Sequence, residues 1–119
     1  MTRQEAIKKA VGAHGQWKAR LQSAIETGKS DFTVESVTVD NNCEFGKWLY
    51  GDPKLKAETP APFDKVRQLH ADFHREVAKI LALALKGNKA EALKAMGHNT
   101  NFARMSSSLT LEMMNWSKL

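Results

Sequence analysis

The chain has 119 residues, of which 26% are charged and 42% apolar, and it carries a formal net charge of +5. That length is one domain's worth, able to bury a core without disulfides, and the balance of charged to apolar residues excludes a disordered polymer. The longest apolar run, Ile80 to Leu85, is far too short to cross a bilayer, and the lysines are scattered with no dense block or interleaved aromatics, which argues against a membrane span and a nucleic-acid footprint.

The N-terminal residues lead directly into an amphipathic pattern with no signal-peptide core, and the chain has a single cysteine, Cys43. Both features lead to the expectation of a reducing, cytoplasmic setting. Thr2 followed by Glu5 forms a capping box, and Ile7, Ala10, Val11, His14, Trp17, Leu21, Ala24 and Ile25 then recur on one face. The spacing predicts one helix from about Arg3 to Thr27, stopped by Gly28, with His14 on its apolar stripe. An imidazole placed there must find a partner for each nitrogen or lose stability.

Between Lys29 and Val39 the helical spacing lapses, and the segment is expected to be a loop over one end of the molecule. Asp40 or Asn41 then caps a short helix, with Asn41 and Glu44 in capping-box spacing, which puts Cys43 in the first turn where free amides favour a thiolate. Gly46 costs helix propensity but permits close approach of another backbone or of a metal shell. Gly51, Asp52 and Pro53 are expected to end this helix, and Lys54 to Thr59 to connect onward.

Thr59-Pro60 opens a long helix whose apolar stripe runs from Phe63 to Ala84, ending at Gly87, with His70 and His74 on one face. Asn88 and Glu91 cap the last helical stretch, whose stripe of Ala92, Leu93, Met96, Phe102, Met105, Leu109, Met113 and Trp116 is interrupted at Gly97 to Asn101. Long helices with short connections give an all-α four-helix bundle with a short extra helix carrying the cysteine, forming a single domain over residues 1–119.

His14, Cys43, His70 and His74 together make a complete tetrahedral shell for zinc. Each alone has a simpler explanation: a histidine on an apolar stripe is usually a hydrogen-bonded core residue, and a lone cysteine is usually a small hydrophobe. A shared metal explains all of them at once, although nitrogen and sulfur ligands also suit copper, nickel or cobalt. Four protein ligands leave no position for a substrate water, so the set points to a structural or sensory site and not to an enzyme. Asp72 and Glu44 are candidates for fixing the histidine tautomers, and Trp17, Phe45, Trp48 and Phe73 for an apolar wall around the ion. His98, in a polar stretch, is expected to be exposed and not a ligand.

The segments His14-Gly15-Gln16-Trp17, Cys43-Glu44-Phe45-Gly46-Lys47-Trp48-Leu49 and His70-Ala71-Asp72-Phe73-His74 resemble the chemoreceptor zinc-binding domain family. That resemblance implies a helical bundle binding zinc through His14, Cys43, His70 and His74. It further implies a bacterial cytoplasmic sensor, commonly attached to chemoreceptors or diguanylate cyclases, that reports zinc availability or oxidants such as hypochlorous acid and so regulates chemotaxis or cyclic-di-GMP signalling. Two other classes stay open: a metal-free helical interaction module, and a hemerythrin-like metal bundle, for which no Glu-x-x-His motif or second ligand set is present. Four amphipathic helices in so small a chain are expected to complete their burial in a homodimer.

Overall fold

The structure, a computed structural model, describes residues 2–119 and is all-helical, with no strand among those residues. Eight helical segments follow in order: α1 (Arg3–Gly15), α2 (Trp17–Thr27), α3 (Val34–Thr38), α4 (Glu44–Gly51), α5 (Pro53–Glu58), α6 (Pro60–Leu85), α7 (Lys89–Ala95) and α8 (Asn101–Ser117). Helix α6 is the axis, packed against α2, α3, α5, α7 and α8, while α1 lies along α8 and also meets α4. None of the helices in the described residues is long and apolar enough to cross a membrane.

Most of the periodic stripes become the core as expected, although Leu93 of the last stripe is exposed. Ile7 and Ala10 of α1, Trp17, Leu21 and Ile25 of α2, Val66, Phe73, Val77, Ile80 and Leu81 of α6, and Phe102, Leu109, Met113 and Trp116 of α8 are all buried together. Each large side chain so buried contributes about 1.5–3 kcal/mol relative to exposure. Trp116 ties the far end: its indole N–H donates to Thr59 Oγ1 at 2.8 Å, and its ring meets those of Trp48 and Phe63. The Thr59 hydroxyl is thereby committed to Trp116 and to the Leu55 carbonyl, and α6 starts without a side-chain cap.

Several boundaries differ from the expectations. The first long helix divides at Gln16, whose amide bonds Ala13 O at 3.2 Å, so a tighter turn separates α1 from α2. The expected loop between Lys29 and Val39 contains α3, started by a capping box of Thr33 and Ser36 and laid against α6 through buried Val37. Asp52 and Pro53 do not merely end α4: Asp52 Oδ1 accepts from Lys54 N at 3.0 Å and Pro53 takes the first position of α5, so the expected connector is a helix with Leu55 buried. Asn88 makes no side-chain cap bond at α7. The break after Met96 is real, with Asn99 at φ 63° and Thr100 Oγ1 capping α8 by accepting from Ala103 N at 3.3 Å.

The start of α4 also differs. Cys43 is itself the N-cap, its Sγ accepting from Gly46 N at 3.3 Å, so neither Asp40 nor Asn41 fills that position. The preceding chain folds back so tightly that a Cβ on Gly46 would stand 1.7 Å from the Asp40 carbonyl oxygen. No rotamer relieves a clash with backbone, so Gly46→Ala must push the Asp40 segment off α4. We expect a loss of about 1–3 kcal/mol or more in urea unfolding. Gly12→Ala, in α1 with no neighbour within 4 Å, should instead gain about 0.5–1 kcal/mol. Equal effects of the two substitutions would show that the close approach at Gly46 does not govern stability.

Candidate metal centre

The four candidate residues come from three separate places in the chain. His14 lies in the last turn of α1, Cys43 caps α4, and His70 and His74 are one turn apart in the middle of α6. The fold brings them together, with one donor atom from each lying within 4.8 Å of all the others. His70 is central: its Nε2 is 3.1 Å from His14 Nε2, 3.1 Å from His74 Nε2 and 3.4 Å from Cys43 Sγ. All three histidines are buried, His70 completely, and Cys43 is partly buried.

The outward-facing nitrogens decide what the inward-facing ones carry. His14 Nδ1 lies 2.8 Å from Ala10 O, and His74 Nδ1 lies 3.1 Å from Val37 O. A carbonyl oxygen only accepts, so each of these Nδ1 atoms holds the proton and each Nε2 presents a bare lone pair. His70 Nδ1 faces the Asp40 carboxylate, with 3.4 Å to Oδ2. Three imidazoles thus turn their Nε2 atoms on one point, and a single proton on His70 could satisfy only one of the neighbouring lone pairs.

A cation at that point would resolve this arrangement. Tetrahedral zinc, with bonds of about 2.0–2.1 Å to nitrogen and about 2.3 Å to sulfur, separates its donors by about 3.3 Å between nitrogens and about 3.6 Å from sulfur to nitrogen. The nearest donor spacings here, 3.1 Å and 3.4 Å, are close to those edges. The residues therefore fit a metal ion in donor type, in the tautomers of His14 and His74 and in the spacings around His70, the remaining donors lying within 4.8 Å of one another.

The electrostatics agree with a ligand set. Burial holds His14 down to about 4 and His70 down to about 2, the neighbouring imidazoles adding to the effect, and burial lowers His74 as well. The rings are therefore neutral near pH 7, the form that binds metal. Burial pushes the Cys43 thiol up, opposed by the Gly46 and Phe45 amides, so without a cation the sulfur stays protonated.

Of the four aromatics expected to wall the site, two do. Phe45 meets His14 and His70 edge-on at 5.8 and 5.1 Å, and Phe73 meets His14 at 5.5 Å. Trp48 backs Phe45 from behind, and Trp17 packs instead on Phe32 beneath the Arg20 guanidinium. Asp72 and Glu44 do not orient the histidines: Asp72 pairs with Gln68 and Arg75, and exposed Glu44 lies 3.9 Å from Lys47. Their helical faces turn them outward. The groups at the Nδ1 atoms are Asp40 and two backbone carbonyls, and only Asp40, three residues before Cys43, left any trace in the sequence. His98 is exposed beside an open cleft that it lines with His14, Lys18, Met96 and Phe102, outside the four-residue cluster.

No curated protein and no solved structure matches the chain. A family comparison does: residues 14–81, more than half of the chain and including all four clustered residues, match the chemoreceptor zinc-binding domain. The chain belongs to the chemoreceptor zinc-binding domain family.

Proposed function

We propose that the chain acts as a single zinc-binding sensory domain in which His14, Cys43, His70 and His74 hold one zinc ion. The observation that carries this reading is the convergence of three Nε2 atoms and the Cys43 sulfur, with the Nδ1 atoms of His14 and His74 turned outward to carbonyl acceptors and that of His70 toward Asp40. Bound zinc supplies the positive charge that holds these donors together and keeps Cys43 as a thiolate. In this reading α1, α2, α6 and α8, the four longest helices, serve as the rods of a four-helix-type bundle, and the ligand set pins the short cysteine-bearing α4 to it.

The signal we propose is metal occupancy, set by zinc availability or by oxidation of Cys43. The thiolate, partly exposed, would take up oxygen from hypochlorous acid to become a sulfenic acid, releasing chloride and weakening the ligand set. Structural zinc in small peptides contributes about 10–16 kcal/mol of apparent binding energy, comparable with a whole domain's stability of about 5–15 kcal/mol. Occupancy is therefore strong enough to decide where α4 rests. A chemoreceptor or diguanylate cyclase in a cytoplasmic setting is the partner class that the family suggests. Exposed Leu111 and Met114 on α8 supply a seam for a homodimer.

Elemental analysis of protein purified without a metal-affinity tag tests the site. About one zinc per chain is expected in the wild type and none in Cys43→Ala or His70→Ala, with helical circular dichroism retained in all three. A wild type with intact helices and no metal would leave a metal-free interaction module as the better account. Sedimentation analysis tests the seam: the wild type should run at twice the monomer mass and Leu111→Asp/Met114→Asp as a monomer, whereas a monomeric wild type removes the dimer.

The buried imidazoles set a pH dependence. Their folded values lie below the ordinary 6.5, so below that pH the unfolded chain binds more protons than the folded one. In chelator-treated protein, stability should be full above about pH 6.5 and fall as the pH drops toward about 4 for His14, continuing toward about 2 for His70. Loaded protein should release metal in acid as protons compete for the same Nε2 atoms. Thermal unfolding that stays flat from neutral pH down to about 4 would show that these rings do not enter the folded state neutral.

A further inference from the structure

His70 is the hub of the cluster, yet its anchoring differs from that of its neighbours. His14 and His74 hold their rings with closed hydrogen bonds to carbonyls, whereas His70 Nδ1 is a fully buried nitrogen with no closed hydrogen bond, 3.4 Å from Asp40 Oδ2. The carboxylate oxygen that it faces is itself held. Tyr50, half-exposed on α4, donates its hydroxyl proton to Asp40 Oδ2 at 2.5 Å, and the Arg67 guanidinium of α6 faces that hydroxyl. The backbone of the same residue serves the other half of the site: the Asp40 carbonyl packs on Gly46 and accepts from the Cys43 thiol at 3.8 Å.

We infer that Asp40, held by Tyr50, is the positioning residue for His70, keeping the ring proton on Nδ1 so that Nε2 faces the metal. This rests on the zinc-binding reading for its functional consequence, though not for its structural content. A carboxylate on the outer nitrogen fixes ring rotation and tautomer and raises the basicity of the inner nitrogen. Asp40 thus touches both the turn that carries Cys43 and Tyr50, a surface side chain of α4.

The test uses the full chain, with Asp40→Ala, Tyr50→Phe and, as control, Asp72→Ala. In metal-free protein, long-range proton–nitrogen correlation spectra should show His70 as the Nδ1–H tautomer in the wild type and Asp72→Ala, and as a mixture in Asp40→Ala. Zinc affinity by chelator competition should fall about 10–100-fold in Asp40→Ala, less in Tyr50→Phe, and not at all in Asp72→Ala. The visible spectrum of the cobalt-loaded protein should shift in Asp40→Ala while keeping its four-coordinate intensity, a change that a general loss of stability would not produce. An unchanged His70 tautomer with zinc affinity within about twofold of wild type would overturn the inference. If Asp40→Ala does not fold, Tyr50→Phe carries the test, and an unchanged tautomer and affinity there would overturn it equally. A tautomer change in a protein that binds no zinc would support Asp40 as the positioning residue and refute the metal site.

Discussion

Three imidazole nitrogens and a sulfur face one another in the interior, and the nitrogens bring at most one proton between them. Like-facing lone pairs repel, and the three rings that carry them are buried. The arrangement persists because each ring is anchored from outside by a different part of the chain. His14 is held by its own helix at Ala10, His74 by α3 at Val37, and His70 faces Asp40 in the turn before α4. The site is thus a meeting point of α1, α3 and α4 on the face of α6, and a cation bound at its centre, as proposed, would draw the four side chains into one favourable shell.

The rest of the molecule can be divided by how much it depends on that centre. Along α6, α8, α1 and α2 the contacts are apolar stripes meeting apolar stripes, and the Trp116 to Thr59 bond closes the far end. That core has its own driving force in buried area. The segment from Asp40 to Gly51 has less: Phe45 and Leu49 are buried, but its opening turn is defined by Cys43 as cap, by the close pass of Asp40 over Gly46, and by contacts to His70. An element that owes its position to polar contacts at one end is the one most sensitive to what occupies those contacts. This uneven dependence is the physical basis of the proposed sensor.

Family membership is carried by residues 14–81, which run from the first clustered histidine to Leu81 near the end of α6. Helices α7 and α8 lie outside that span, yet α8 supplies Phe102, Leu109, Met113 and Trp116 to the core that packs on α6 behind the site. Residues with no part in the chemistry thereby hold the axis on which two of the four clustered side chains are mounted.

The amino-acid sequence by itself determined the helical class, the core stripes, the central helix with His70 and His74 on one face, and the four side chains that meet. Each of these follows from local spacing and residue type, which act over a few residues and are written directly in the chain. Only the tertiary structure decided that α3 and α5 are helices, that Cys43 caps α4, and that Asp40, not Asp72 or Glu44, faces a histidine. Short helices are stabilised by what they pack on more than by their own propensity, so Val37 and Leu55 identify them only once α6 is in place. The Ala10 and Val37 carbonyls that orient two of the rings belong to the backbone, which every residue shares, and no side-chain pattern can announce which carbonyl a fold will turn toward an imidazole.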